Sequence, residues 1–171
     1  LCGNIFLEKI LVSVSKGLFS VTGKTALITG GGSGIGSFMA QSLSDEGATI
    51  LLVGRREDKL KGVLSSRDGK IFVIDLCEAS ASERLFTMVT VCGYQPDIIV
   101  NAAGINPRLH ADDISEADWH YSVDLNLNVP FFVSQKFVPH MKQAGWGRII
   151  NIASLQSSRA FENGISYGAA K

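Results

Sequence analysis

Thr29-Gly30-Gly31-Gly32-Ser33-Gly34-Ile35-Gly36 follows directly on the apolar run Thr25 to Thr29 and leads into a stretch, Gly34 to Glu46, with helical periodicity. A strand, a glycine-rich turn and a helix in that order form the place where a dinucleotide pyrophosphate meets backbone N–H groups and the positive end of a helix. Glycine is needed there for tight turning and for close approach of a phosphate. The spacing is GxxxGxG rather than GxGxxG, and with 18 glycines in 171 residues a glycine-rich turn without a ligand is the competing reading. Under the first reading Gly30, Ser33, Gly34, Ile35 and Gly36 hold the cofactor.

On either side of that turn the chain alternates short β-branched runs with longer amphipathic stretches, the sequence form of repeated βαβ units. Strands are predicted at Thr25 to Thr29, Ala48 to Val53, Lys70 to Ile74, Asp97 to Asn101 and Arg148 to Ile152. Helices are predicted at Gly34 to Glu46, with Ile35, Phe38, Met39 and Leu43 on its apolar face and Gly47 as its stop, then at Glu57 to Ser65 and Ser80 to Val91. A long fourth helix runs from about Glu116 to Gln143, capped by Ser115 with Asp118 as its box partner, and a kink or a break is expected near Pro130. The fold class is therefore α/β, a Rossmann-type doubly wound parallel sheet with helices on both faces.

Composition agrees with a globular chain: 46% of residues are hydrophobic, and sixteen basic side chains balance sixteen acidic ones. No positive field exists to hold nucleic acid or an anionic membrane, so neither is expected as a partner. Cys2, Cys77 and Cys92 are an odd, scattered set that reads as free thiols, with no metal site, in a cytoplasmic protein. The apolar stretch Ile5 to Val14 is interrupted by Glu8 and Lys9 and is too short to span a membrane, so residues 1–17 are taken as a loosely attached leader to a domain over 18–171.

Beyond the second strand, where an acid about 20 residues after the glycines would bind the ribose of NAD, the sequence has Gly54 followed by Arg55 and Arg56. Guanidinium groups suit a ribose phosphate, which favours NADP(H) and leaves NAD(H) as the alternative. A solvated start to the next helix is the other reading, more so for Arg56 than for Arg55. At the far end Tyr167 and Lys171 are four apart, close enough on a helix for an ammonium to stabilise a phenolate and make Tyr167 an acid/base. Ser154 closes the last strand at the sheet edge where open α/β folds put their ligands.

TGGGSGIG at 29–36, Asp75, NAAG at 101–104, Asn126 in Asp124-Leu125-Asn126-Leu127, Ser154 and YGAAK at 167–171 occur in order. From about Leu18 to the last residue the sequence resembles the short-chain dehydrogenases/reductases. The resemblance implies that Tyr167 is the acid/base, that Lys171 binds the nicotinamide ribose and depresses the tyrosine pKa, and that Ser154 orients the substrate carbonyl. It further implies a relay water at Asn126, Asp75 with Leu76 at the adenine, and Asn101, Ala102 and Gly104 shaping the cofactor floor, Ala102 standing where the family usually has asparagine. Asp75 as a strand-end turn residue and Asn126 as a backbone ligand near Pro130 stay open.

The branch most resembled acts on sugar acids such as gluconate and 2-deoxygluconate, so the expected partner is a small carbonyl or alcohol substrate. Arg108 and Arg159 are candidates for its carboxylate, or ordinary surface arginines. His110 and His120 are not needed as acid/base groups, and Trp119, Phe131 and Phe132 read as packing residues. Family members continue past the point equivalent to Lys171 and form dimers or tetramers, so the expectation is a fragment of a longer, homo-oligomeric enzyme, with catalysis by these residues alone not assured. A noncatalytic dinucleotide-binding module and a 3-oxoacyl-thioester reductase are the alternatives.

Overall fold

The computed structural model describes residues 20–171; the leader predicted over residues 1–17 lies outside them. Five strands, β1 (Thr25–Thr29), β2 (Thr49–Gly54), β3 (Gly69–Val73), β4 (Ile98–Asn101) and β5 (Arg148–Asn151), form one parallel sheet in the order β3-β2-β1-β4-β5. The connecting helices are α1 (Gly34–Asp45), α2 (Glu57–Leu64), α3 (Ala81–Val91), α4 (Glu116–Val123) and α5 (Val129–Ala144), and a short α6 (Ile165–Ala169) follows β5. All five predicted strands form, with ends shifted by a residue or so.

Side-chain alternation in the central strands sends residues to two cores, as a sheet covered on both faces requires. Leu27, Leu51, Val53 and Ile99 pack with Leu85 and Val89 of α3 and Val133, Phe137 and Met141 of α5. Ala26, Ile28, Ile50, Leu52 and Val100 pack on the other face with Ala40 of α1 and Leu60 of α2. Phe137 is 1% exposed, and its truncation to alanine is expected to cost about 3–5 kcal/mol.

One detail differs from the sequence expectation, and another takes a specific form. The face that α1 turns to the sheet consists of Gly36 and Ala40, with Met39 and Leu43 partly buried, while Ile35 and Phe38 are 59% and 69% exposed. Small residues win because the helix lies close: a Cβ on Gly36 would fall 2.5 Å from the Gly30 carbonyl oxygen. The irregularity expected near Pro130 takes the form of a π turn just before it, in a helix that runs on. The chain passes from α4 into one π turn, Asp124–Asn128, and on into α5, with Pro130 in the first turn where its missing N–H is harmless. The Ser115–Asp118 capping box forms as read, and no described helix is long and apolar enough to cross a membrane.

Candidate dinucleotide and catalytic site

The chain leaves β1 toward β2 on one side and reaches β4 on the other, so the strand order reverses at the β1–β4 junction. A crevice at the carboxyl ends of the strands must open there, and a cleft of about 410 Å³ does. Its walls are held close by backbone. Thr29 Oγ1 donates to the Val100 carbonyl (3.4 Å) and accepts from the Ala103 N–H (3.2 Å), tying the end of β1 to the loop after β4. Gly30, at φ 67°, has room for no side chain: a Cβ would meet Ala103 N and Cα at 2.8 Å.

The N-termini of α1 and α4 are finished in opposite ways. At α4 Ser115 caps the helix and Glu116 and Asp118 neutralise its first turn. At α1 Ser33 makes no side-chain cap bond and the first turn carries no acid, so its N–H groups and positive dipole end face the cleft without an internal anion. That uncapped end, the glycine cradle and the basic side chains of the cleft fit a dinucleotide. Arg55, Arg56 and Lys59 line the same cleft. Arg55 Nη1 donates to Tyr121 Oη at 2.9 Å and lies 3.5 Å from Asp75 Oδ2, while Arg56 Nη2 donates to Ser33 Oγ at 3.3 Å. Arg56, expected to be the more solvated of the pair, thus reaches the glycine turn itself.

At the other end of the cleft Tyr167 stands on α6, and Lys171 Nζ lies 5.6 Å from its ring centre. Lys171 also donates to the Ile152 carbonyl at 2.8 Å, and burial lowers its pKa from the usual lysine range. Ala170 caps α6, so Lys171 sits just past the helix rather than within it. Gly104 lets these parts converge, since a Cβ there would fall 2.7 Å from Asn126 Oδ1 and 3.8 Å from Lys171 Nζ.

Of the residues singled out in the sequence, Gly30, Ser33, Gly34, Ile35, Gly36, Arg55, Arg56, Asp75, Leu76, Ala102, Gly104, Tyr167 and Lys171 all line this cleft. The others do not. Asn101 turns away and is 2% exposed, donating to Asn151 Oδ1 and Ser134 Oγ, so it braces β4 from behind. Asn126 spends its amide on backbone, donating to the Ser122 and Ile105 carbonyls at 2.8 Å each and accepting from Ile105 N–H at 3.3 Å. Ser154 lies three residues past the end of β5 and caps a 3₁₀ turn at Leu155–Ser157, its Oγ accepting from Gln156 N–H; no hydrogen bond among the described residues joins it to Tyr167. Arg108 and Arg159 are exposed and absent from the cleft wall.

Lys59 and Tyr121 were not anticipated. Lys59, in the first turn of α2, follows closely on Arg55 and Arg56 just before that helix, a local run of basic residues. Tyr121 arrives from α4 across the cleft, and nothing local in the sequence announces it.

Comparison with known proteins bears on this geometry. A family model described as short chain dehydrogenase matches residues 24–171. The chain is 38% identical over 159 residues to 2-dehydro-3-deoxy-D-gluconate 5-dehydrogenase of Bacillus subtilis, covering 90% of this chain and 61% of that protein. It is 32% identical to gluconate 5-dehydrogenase of Gluconobacter oxydans, covering 90% and 62%. The crystal structure of a gluconate 5-dehydrogenase from Burkholderia cenocepacia in complex with NADP and tartrate superposes with a TM-score of 0.81 at 34% identity, covering 90% and 62%. The chain thus spans about three fifths of the length of these relatives.

Proposed function

The chain belongs to the short-chain dehydrogenase family, and on that premise we propose that it is the cofactor-binding and catalytic part of an NADP-preferring oxidoreductase acting on a sugar acid. Hydride would pass between the nicotinamide, when bound, and a carbonyl or secondary alcohol carbon of the substrate. What carries this reading is that one cleft is lined by the glycine turn, by Arg55 and Arg56, and by Tyr167 and Lys171.

Tyr167 gives its proton to the substrate oxygen in reduction and takes it back in oxidation. Lys171 Nζ stands 5.6 Å from the ring centre of Tyr167, beside the group that moves the proton. Ser154 Oγ accepts from Gln156 N–H, which leaves its own hydroxyl proton to hold the substrate oxygen. At Asn126 the side-chain amide is committed to backbone, so the relay water proposed there falls to its main-chain carbonyl.

For the cofactor, the three cations Arg55, Arg56 and Lys59 favour a phosphorylated ribose, in keeping with the NADP bound in the Burkholderia relative. The sugar-acid assignment draws on the names of the relatives, with the exposed Arg108 and Arg159 as candidate cations for a carboxylate. The test is turnover by the full-length protein with NADP and D-gluconate, beside NADPH and a 3-oxoacyl thioester. Turnover confined to gluconate supports the reading, and preference for the thioester contradicts it.

A further inference from the structure

We propose that Tyr121 is a positioning residue for cofactor discrimination, holding Arg55 in the orientation that reads the ribose phosphate; this rests on the NADP reading above. Arg55 alone is poorly placed for selectivity, because its side chain is 60% exposed and a free arginine has many rotamers to lose on binding. Two oxygens restrain it. Asp75 Oδ2 lies 3.5 Å from Arg55 Nη1, and Asp75 is itself fixed by a bond from Cys77 N–H to its Oδ1 at 3.0 Å. Tyr121 Oη is closer, at 2.9 Å from the same nitrogen.

The two restraints differ in kind. A carboxylate at Arg55 cancels the charge that a phosphate needs, whereas a phenol oxygen orients the guanidinium and leaves the charge intact. Tyr121 is a stiff anchor: its ring packs against the core beneath α4, and its hydroxyl reaches the cleft wall. Both restraints fall on Nη1. Among the described residues no protein acceptor meets Arg55 Nη2 or Nε, the two N–H groups that can grip a phosphate monoester in bidentate fashion. Tyr121 thereby sets a pre-aimed fork at the cleft mouth.

The experiment is a fluorescence titration of the full-length protein with NADPH and with NADH, for the parent, Tyr121→Phe, Arg55→Ala and the double variant. Tyr121→Phe keeps the packed ring and removes the acceptor. NADPH affinity is expected to fall by about threefold to tenfold, the amount that corresponds to ordering one side chain, while NADH affinity holds. In the Arg55→Ala background Tyr121→Phe should change neither. If Arg55→Ala lowers the NADPH preference but Tyr121→Phe lowers both cofactors alike or neither, the positioning role is overturned and the NADP reading stands. A further loss of NADPH in the double variant also overturns it. If Arg55→Ala leaves the preference unchanged, the NADP reading itself fails and this inference with it.

Discussion

At one end of the cleft a single run of consecutive residues, Thr29 to Gly36, supplies turn, cradle and helix start; at the other, Gly104 and the pair Tyr167 and Lys171 arrive from separate segments, while Asn126 and Ser154 stand outside the cleft wall. The glycine end works through backbone, and its geometry follows from φ angles and close approaches that the residues impose on one another. The tyrosine end works through side chains, several of which are already bonded to the protein: Lys171 to the Ile152 carbonyl, Asn126 to Ile105 and Ser122, Ser154 to Gln156. A binding end built on one run of backbone and a chemical end built on side chains should respond differently to substitution.

The largest separation is expected from Tyr167→Phe in the full-length protein, where turnover falls by about 10²- to 10⁴-fold while NADPH affinity is hardly changed. Turnover at the parent rate would remove Tyr167 from the chemistry. On the binding side Arg55→Ala is expected to weaken NADPH by about tenfold to a hundredfold and NADH much less, as suits a lost charged hydrogen bond. Equal losses in paired titrations would deny it the phosphate.

Two glycines of the turn sharpen the contrast within the binding end. Gly36→Ala must displace backbone, its Cβ landing 2.5 Å from the Gly30 carbonyl oxygen, and about 1–3 kcal/mol of stability should be lost together with NADPH binding. Gly34→Ala meets nothing within 4 Å and is strained only by its φ of 53°, so about 1 kcal/mol is expected. Urea unfolding of the two variants would expose an error if their order reversed. Smallest of all is Arg159→Ala, for which the Michaelis constant of an acidic sugar should rise by about twofold to fivefold and that of a neutral alcohol stay put. No difference between those substrates would dismiss a carboxylate contact.

The same contrast explains what the sequence made legible. The β1 turn could be read because neighbours in sequence are neighbours in space, and β-branched runs between amphipathic stretches announce a covered parallel sheet. Tyr167 and Lys171 were legible for the same local reason, being four residues apart. Asn126 and Asn101 were recognisable as residues, but their hydrogen bonds to Ile105, Ser134 and Asn151 depend on partners brought in by other elements, while Ser154 is held by a local bond from Gln156 N–H. Asn101 meets Asn151 only because β4 and β5 pair in register. Ile35 and Phe38 misled because periodicity counts apolar side chains, whereas close packing of α1 on the sheet selects Gly36 and Ala40.

The most direct measurement of the central claim, that the glycine turn and the arginines after β2, with Arg55 held by Tyr121, form a site selective for NADP(H), is a fluorescence titration of the 171-residue chain with NADPH and NADH. Saturable NADPH binding, with NADH weaker by about tenfold or more, is the expected result. Equal affinity for the two, or binding of neither, would contradict it.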